Sequence, residues 1–178
     1  WFCWPDKSGC WGAFDPVEYE HYDNPLNGDI HVVVPYRMVA FCGPRHVSGD
    51  REYVDDVGAG LRTFSPRYYI DIFEMMKVST VVRLNQPHYD KREFEEGGFD
   101  HLDLQFHDGA TPPSRLVRRF FEAVDRSHGV IAVHCSSGLG RTGTVIALFL
   151  MRDYGFSARE AMGWLRMIRP GSVVGEQQ

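Results

Sequence analysis

The sequence predicts an α/β fold: a central, mostly parallel β-sheet with flanking helices. Short apolar segments alternate along the chain with longer segments that carry helix-capping residues, and a helix between two strands allows them to run parallel. The clearest unit is the apolar segment 130–133, which a loop with two glycines joins to a second apolar segment, 144–151. We interpret it as a buried strand, a loop and a buried helix. Ligands of such sheets bind beyond the carboxyl ends of the strands.

The remaining elements are predicted from caps, periodicity and turn residues. Asp15 and Ser65 each precede a proline, which favours a helix start, and Leu102 and Leu104 alternate with polar residues as in a half-buried strand. In order, we predict helix 16–22, strands 30–34 and 38–41, a long polar loop 43–63, helix 66–77, strand 80–84, helix 89–96, strand 101–106, helix 114–127, and a helix from the Ser157–Glu160 capping box to before Pro170.

Composition excludes several classes of protein. The net charge of -5 argues against general nucleic-acid binding, and no apolar run approaches the roughly 18 residues of a membrane span. The first residues also lack the pattern of a signal peptide. The four cysteines are scattered, which favours a reducing compartment, the cytoplasm or the nucleus. Cys3 could pair with Cys10, or both could bind zinc together with His21, but the spacing fits no standard site, so we expect no metal and no cofactor.

The loop from Cys135 to Arg141 predicts an anion site with a nucleophile inside it. Backbone N–H groups at the start of a helix, together with the helix dipole, bind anions, so we assign phosphate binding to 136–141 (Ser136, Ser137, Gly138, Leu139, Gly140 and Arg141). The same N–H groups and the guanidinium lower a cysteine pKa from about 8.5 toward about 3.5–7.5. Arg141 can chelate two phosphoryl oxygens. The pattern indicates phosphate-ester hydrolysis through a phosphocysteine.

This chemistry also needs a proton donor, and Asp108 is the best candidate. It follows the predicted strand 101–106, within a segment rich in turn residues, although an ordinary Asp-Gly turn is the alternative. Thr142 is a candidate donor to the sulfur, unless its hydroxyl only caps the helix. Gln177 or Gln178 would position the hydrolytic water.

The chain resembles the Cdc14-type dual-specificity phosphatases of the cysteine-dependent protein tyrosine phosphatase superfamily. The resemblance rests on the motif His134-Cys135-x-x-Gly138-x-x-Arg141-Thr142-Gly143 and on segments 18–22, 81–85, 108–112, 168–172 and 177–178. It implies Cys135 as nucleophile, Arg141 as phosphate clamp and Asp108 as general acid. It also implies substrates with phosphoserine followed by proline and a downstream basic residue, as made by cyclin-dependent kinases and reversed at mitotic exit.

The resemblance gives other residues a possible meaning. An acidic groove reads the downstream basic residue in this family, so Asp15, Glu18 and Glu20 become candidates for part of it rather than a merely solvated helix face. Asp6, in the Trp-Pro-Asp tripeptide that holds the general acid of tyrosine phosphatases, is interpreted as a coincidence because no strand leads into it.

The chain also departs from the family pattern. Ser136 and Ser137 replace a basic and a small residue, and Glu176 replaces a proline. The family carries a second, non-catalytic phosphatase-like domain before a linker helix. We therefore divide the chain into an N-terminal segment with the linker helix, 1–28, and a catalytic domain, 29–178, with the further domain as a possible missing partner.

Three alternatives remain. A phosphoinositide phosphatase uses the same loop but places lysines within it, and here Ser136, Ser137 and Leu139 stand there. An RNA phosphatase shares this weakness and would favour a basic surface. A pseudophosphatase that only binds phosphoproteins usually lacks the cysteine, the arginine or the acid, and this chain has all three.

Overall fold

The computed structural model describes residues 15–178. Asp6, whose Trp-Pro-Asp tripeptide we interpret as a chance match, and the candidate zinc ligands Cys3 and Cys10 therefore lie outside the described residues. The helices are α1 (Pro16–Asp23), α2 (Pro66–Met75), α3 (Arg92–Glu96), α4 (Ser114–Arg126), α5 (Gly140–Tyr154) and α6 (Ala158–Ile168). The strands are β1 (Ile30–Val34), β2 (Met38–Cys42), β3 (Tyr53–Asp56), β4 (Leu61–Phe64), β5 (Val78–Arg83), β6 (Asp100–Asp103) and β7 (Val130–Cys135). Short 3₁₀ turns occupy Pro25–Asn27 and Gly175–Gln177.

Five strands form the central sheet in the order β1-β2-β7-β5-β6. Strands β2, β7, β5 and β6 run parallel to one another, and the edge strand β1 pairs with β2 in the antiparallel sense. The predicted α/β fold with a mostly parallel sheet is confirmed. The middle strand β7 is buried along its whole length, which explains its uninterrupted run of apolar residues. Cys135 lies at its carboxyl end, opposite Cys42 of β2.

Two apolar cores cover the two faces of this sheet. Side chains of β7 alternate between them: Ile131, Val133 and Cys135 belong to the core that α4, α5 and α6 complete, and Val130 and Ala132 belong to the core beneath α2 and α3. The side chain of Cys135 is therefore on the side of the sheet that α5 covers. No helix within residues 15–178 has both the length and the apolar character needed to cross a membrane.

The predicted polar loop 43–63 is wrong in its second half, where β3 and β4 form an antiparallel hairpin. Arg62 stabilises it by a bidentate contact with Asp55, at 2.6 and 2.9 Å, and its guanidinium lies 3.9 Å from the centre of the Tyr53 ring. Most hairpin side chains are at least partly exposed, and only Phe64 is buried in the core. Without a buried face the hairpin lacks the apolar alternation by which strands are recognised.

Several element boundaries also differ from the predictions. Strand β6 ends at Asp103, so Leu104 and Phe106 are buried in the segment that follows it rather than in the strand. Helix α3 begins at Arg92 instead of 89, and α5 begins at Gly140, because the backbone becomes helical within the glycine loop itself. Ser65 occupies the N-cap position of α2, but its hydroxyl makes no capping hydrogen bond there.

The other predicted caps are confirmed. Asp15 Oδ1 accepts hydrogen bonds from the N–H groups of Val17 and Glu18, at 2.8 and 3.2 Å. Ser157 and Glu160 form the full capping box at the start of α6.

Candidate active site

The loop between β7 and α5 is closed tightly against the sheet. Gly138 has φ +69°, and a Cβ built on it would lie 2.1 Å from the carbonyl oxygen of Phe41 in β2. Both the left-handed backbone and the close approach require glycine at this position. The loop thereby turns directly from the end of β7 into the first turn of α5, where backbone N–H groups have no partner within the helix.

Arg141, in the first turn of α5, is held through Nη1 by two backbone carbonyls and turns its Nε–Nη2 edge toward the loop. Nη1 donates to the carbonyl oxygen of Phe106 at 3.2 Å and lies 3.5 Å from that of Leu84. The other edge carries Nη2, which donates to Ser136 Oγ at 3.1 Å, and Nε, which lies 3.1 Å from Asp108 Oδ1 in an ion pair without hydrogen-bond alignment. The Nε–Nη2 edge is therefore aimed at the space above the loop, with the geometry that chelates two oxygens of an oxyanion.

Cys135 is only 1% exposed and is surrounded by donors. Burial by itself would raise the pKa of its thiol, but hydrogen bonds from the Thr142 hydroxyl and backbone N–H, the charge of Arg141 and the N–H of Leu139 outweigh it and lower the pKa below its usual value. Within residues 15–178 the Thr142 hydroxyl makes no other hydrogen bond. The site therefore stabilises a buried thiolate.

Asp108 and Gln177 reach the active site through separate contacts. The Asp108 side chain is 77% exposed and reaches the site through its ion pair with Arg141. Gln177 is buried, and its Nε2 donates to the carbonyl oxygen of Ala110 at 3.0 Å, which joins the C-terminal 3₁₀ turn to the Asp108 segment. A Cβ on Gly140 would lie 2.8 Å from Gln177 Oε1, so this amide covers the start of α5. Gln178, the other candidate, is exposed.

Three hydrogen-bonded side-chain rings, those of His134, Tyr89 and His101, connect to the backbone carbonyl of Cys135. His134 Nδ1 lies 3.0 Å from the carbonyl oxygen of Cys135, which can only accept, so Nδ1 carries the proton and Nε2 accepts from the Tyr89 hydroxyl at 2.7 Å. The Tyr89 oxygen then accepts from His101 Nε2 at 2.9 Å. Burial lowers the pKa of His134 to about 3 and that of His101 to about 4, so both rings are neutral.

Two charged residues outside the predicted set complete this support. Arg83 pairs with Asp103 at 2.6 Å and donates to the carbonyl oxygen of Tyr89 at 2.9 Å. Arg169 is 2% exposed and donates to the carbonyl oxygens of Ser137 and Gly138. Both residues lie in segments that carry the family resemblance, Arg83 in 81–85 and Arg169 in 168–172. No local pattern pointed to the role of either, and the loop carbonyl groups that Arg169 contacts are about 30 residues away along the chain.

The structure does not bring the predicted groove residues to the loop. Asp15 and Glu18 line a surface groove with Ile72, Met75 and Met76, at the C-terminal end of α2. Helix α2 leads there into the amino end of β5, whereas Cys135 lies at the carboxyl end of the parallel strand β7. Glu20 is exposed on α1. Their part in substrate binding stays a prediction.

A buried thiol at the end of a strand, a glycine loop and an arginine in the following helical turn form an anion site with a potential nucleophile inside it. Residues 70–178 match the family model described as "Dual specificity phosphatase, catalytic domain", and the chain belongs to this family. Among the described residues no group of three or more His, Cys, Asp or Glu side chains is placed to hold a metal ion.

The resemblance to Cdc14-type proteins is confirmed. The chain is 46% identical over 177 residues to the tyrosine-protein phosphatase cdc-14 of Caenorhabditis elegans, covering 99% of this chain and 23% of that protein. It is 45% identical over 166 residues to the dual specificity protein phosphatase CDC14C of Homo sapiens, covering 93% of this chain and 36% of that protein. The chain thus spans about a quarter to a third of the length of these relatives.

The fold is shared with solved phosphatase structures. The crystal structure of Tk-PTP in the active form superposes with a TM-score of 0.61 at 24% sequence identity, covering 83% of this chain and 90% of that chain. At this identity the likeness concerns the fold alone.

Proposed function

We propose that the protein is a dual-specificity phosphatase that hydrolyses phosphoserine, phosphothreonine and phosphotyrosine in proteins through a phosphocysteine intermediate. The observation that carries the proposal is the buried Cys135 thiol, whose pKa the nearby Arg141 and Thr142 lower, together with the ion pair that brings Asp108 to the same Arg141. Three buried polar atoms around it make no hydrogen bond of standard geometry within residues 15–178: Arg141 Nε, Thr142 Oγ1 and Gln177 Oε1. A phosphoryl group, a thiolate and a water molecule would satisfy them.

In the first step the Cys135 thiolate attacks phosphorus, a sulfur–phosphorus bond forms and the ester oxygen leaves. The N–H groups of the loop and the Nε–Nη2 edge of Arg141 bind the phosphoryl oxygens, whose charge they balance in the transition state. Asp108 gives its proton to the leaving oxygen, and such a positioned acid contributes about 10²–10⁴-fold to the rate.

In the second step a water molecule attacks the phosphocysteine and the thiolate leaves. Asp108, now a carboxylate, takes a proton from that water. The Thr142 hydroxyl donates to the departing sulfur, which lowers the energy of the leaving thiolate. Gln177 is held beside the Asp108 segment by its contact with Ala110, and its Oε1 is available to orient the water.

The mechanism is tested with Cys135→Ser and Asp108→Ala in the presence of a chelator. We expect no turnover from Cys135→Ser, since an alcohol of ordinary pKa does not ionise in this site. For Asp108→Ala we expect a fall of about 10²-fold or more on an alkyl phosphate and a smaller fall on an aryl phosphate, whose leaving group needs less help. Full turnover by Cys135→Ser would refute the covalent mechanism, and equal falls on both esters would remove the acid role from Asp108.

We further propose a preference for phosphoserine followed by proline, with a basic residue downstream, and hence a role in reversing cyclin-dependent-kinase phosphorylation at mitotic exit, in the cytoplasm or nucleus. The proposal is supported by the named Cdc14 relatives. The acidic side chains of α1 enter it as candidates for reading a residue distant from the phosphoserine, because they do not lie at the loop. The loop contains Ser136 and Ser137 rather than lysines, which favours a singly phosphorylated ester over a polyphosphorylated lipid.

A substrate panel separates these possibilities. It compares phosphoserine-proline peptides with and without a downstream lysine, a phosphoinositide in vesicles and a 5′-triphosphorylated RNA. We expect the highest kcat/KM on the lysine-containing peptide, and a loss of that advantage in the combined variant Asp15→Asn with Glu18→Gln. Equal rates on both peptides would exclude the groove role of α1. Faster turnover of the lipid or of the RNA would overturn the assignment to phosphoproteins.

A further inference from the structure

Arg169 is a buried guanidinium that the reaction steps above do not use, and each of its five N–H donors has an acceptor. Nε donates to the carbonyl oxygen of Gly138 at 2.8 Å, and Nη2 to that of Ser137 at 2.9 Å. The other donors bind Asp29, whose two carboxylate oxygens lie 2.6 and 2.8 Å from Nη1 and Nη2, and His31, whose Nδ1 lies 2.6 Å from Nη1. A complete set of partners fixes the guanidinium in position and orientation.

These contacts set the direction of a peptide group in the phosphate loop. In a planar trans peptide the C=O and N–H bonds point to opposite sides. Because Arg169 holds the carbonyl of Gly138 away from the site, the N–H of the following residue, Leu139, is turned into it. That N–H is one of the donors that stabilise the Cys135 thiolate. Gly138 has φ +69°, a conformation that glycine adopts without strain, so its own backbone preference does not fix the direction of this peptide group.

We propose that Arg169 is a positioning residue, which holds the Gly138–Leu139 peptide with its N–H toward Cys135 and so keeps the nucleophile in its thiolate form. Arg169 acts through the backbone and does not touch the substrate. The inference rests on the proposed nucleophilic role of Cys135 and deepens it, because it assigns part of the activation of the thiol to a residue of the α6 C-terminus.

The same network reaches the helix that carries the candidate groove residues. His31 Nδ1 accepts from Arg169, so the ring is neutral with its proton on Nε2, which donates to Asp23 of α1 at 2.8 Å. Burial and the charge of Arg169 lower the pKa of His31, consistent with a neutral ring. A hydrogen-bonded path therefore runs from α1 through His31 and Arg169 to the loop.

The test is the pKa of the Cys135 thiol in Arg169→Lys, measured from the pH dependence of iodoacetamide alkylation at Cys135 by peptide mass spectrometry. Lysine keeps the positive charge, but a single ammonium group cannot bind both carbonyls and Asp29 in the same arrangement. We expect the pKa of the Cys135 thiol to rise by about one unit. At a pH below the thiol pKa of both proteins, the thiolate fraction of the variant should then be about tenfold lower. Tungstate, an oxyanion probe of the loop N–H groups, should bind about tenfold more weakly.

The matched control is Arg62→Lys. Arg62 also makes a bidentate contact with a carboxylate, that of Asp55, and donates to a backbone carbonyl, that of Leu26, at 3.0 Å, but it lies on the β3–β4 hairpin. We expect it to lower the melting temperature and to leave the thiol pKa unchanged. If Arg169→Lys behaves in the same way, Arg169 has only a structural role and the proposal is wrong.

A second variant decides the matter if Arg169→Lys does not fold. Asp29→Asn keeps the size of the side chain but removes one of the two acceptors that align the guanidinium. Removal of a negative charge would by itself lower the thiol pKa, so a rise would come from the lost alignment, whereas no rise would overturn the proposal. Alkylation is measured without turnover, so failure of the phosphocysteine mechanism, seen with Cys135→Ser, stays distinguishable from failure of this inference.

Discussion

Acidification should destabilise the protein well above the pH at which most carboxylates titrate, because histidines are buried in neutral form, and among them burial lowers the pKa of His134 and His101 most strongly. An unfolded histidine has a pKa of about 6.5, whereas burial lowers the pKa of His134 to about 3 and that of His101 to about 4. A folded pKa below the unfolded value means that the unfolded chain binds more protons. The stability from the neutral rings is therefore complete above about pH 6.5 and is lost as the pH falls toward 4.

The magnitude follows from the two pKa values. At pH 5 the unfolded chain gains about 2 kcal/mol from the protonation of each histidine, while the folded rings remain neutral. Together the two rings should lower the free energy of unfolding by about 4 kcal/mol between pH 7.5 and pH 5. This is a large part of a typical stability of about 5–15 kcal/mol. The rings share the Tyr89 hydroxyl, so the loss belongs to the cluster rather than to either ring alone.

Urea unfolding at pH 7.5, 6 and 5 measures this loss, with His101→Gln as the informative variant. Glutamine retains an amide donor for Tyr89 but does not titrate, so we expect its loss between pH 7.5 and pH 5 to be about 2 kcal/mol instead of about 4. The matched control is His128→Gln, because His128 is exposed between α4 and β7. A parent loss below about 1 kcal/mol, or equal losses in all three proteins, would refute the argument from buried neutral histidines.

Two further predictions concern the loop and its neighbours. Gly138→Ala should lower the free energy of unfolding, measured in urea, by more than about 3 kcal/mol. The left-handed backbone strains alanine by about 1–2 kcal/mol, and the overlap of its Cβ with the Phe41 carbonyl adds to this strain. Its control is Gly155→Ala, at the same φ of +69° but with nothing within 4 Å of the added Cβ, where strain alone should remain and equal costs would exclude the overlap. Gln177→Leu should lower kcat on an aryl phosphate about tenfold and produce a burst of released phenol, because water attack on the phosphocysteine then limits turnover. The control is Gln178→Leu, at an exposed residue, for which we expect neither effect. The reverse result would assign the orientation of the water to Gln178.

The sequence was sufficient for the parts of the fold that local patterns encode. The buried strand β7, the capping box at Ser157 and the order of the strands and helices follow from apolar periodicity and caps, which depend on neighbours along the chain. The β3–β4 hairpin was missed because pairing such as Arg62 with Asp55 stabilises it without a buried face. The end of β6 was misplaced because Leu104 and Phe106 are buried by α4 and α5 after the strand has ended.

For the site, the sequence by itself determined the chemical groups: Cys135, Arg141 and the glycines between them, together with Asp108 as the candidate acid. Their spacing along seven residues is enough to predict an anion loop, because loop and helix start are contiguous. Only the tertiary structure decided what holds this loop in its reactive form. Arg169, Tyr89 and His101 come from distant segments. Arg169 and His134 contact backbone carbonyls, which every residue has and which therefore leave no mark in a sequence pattern, and His31 and Tyr89 act by holding these two side chains.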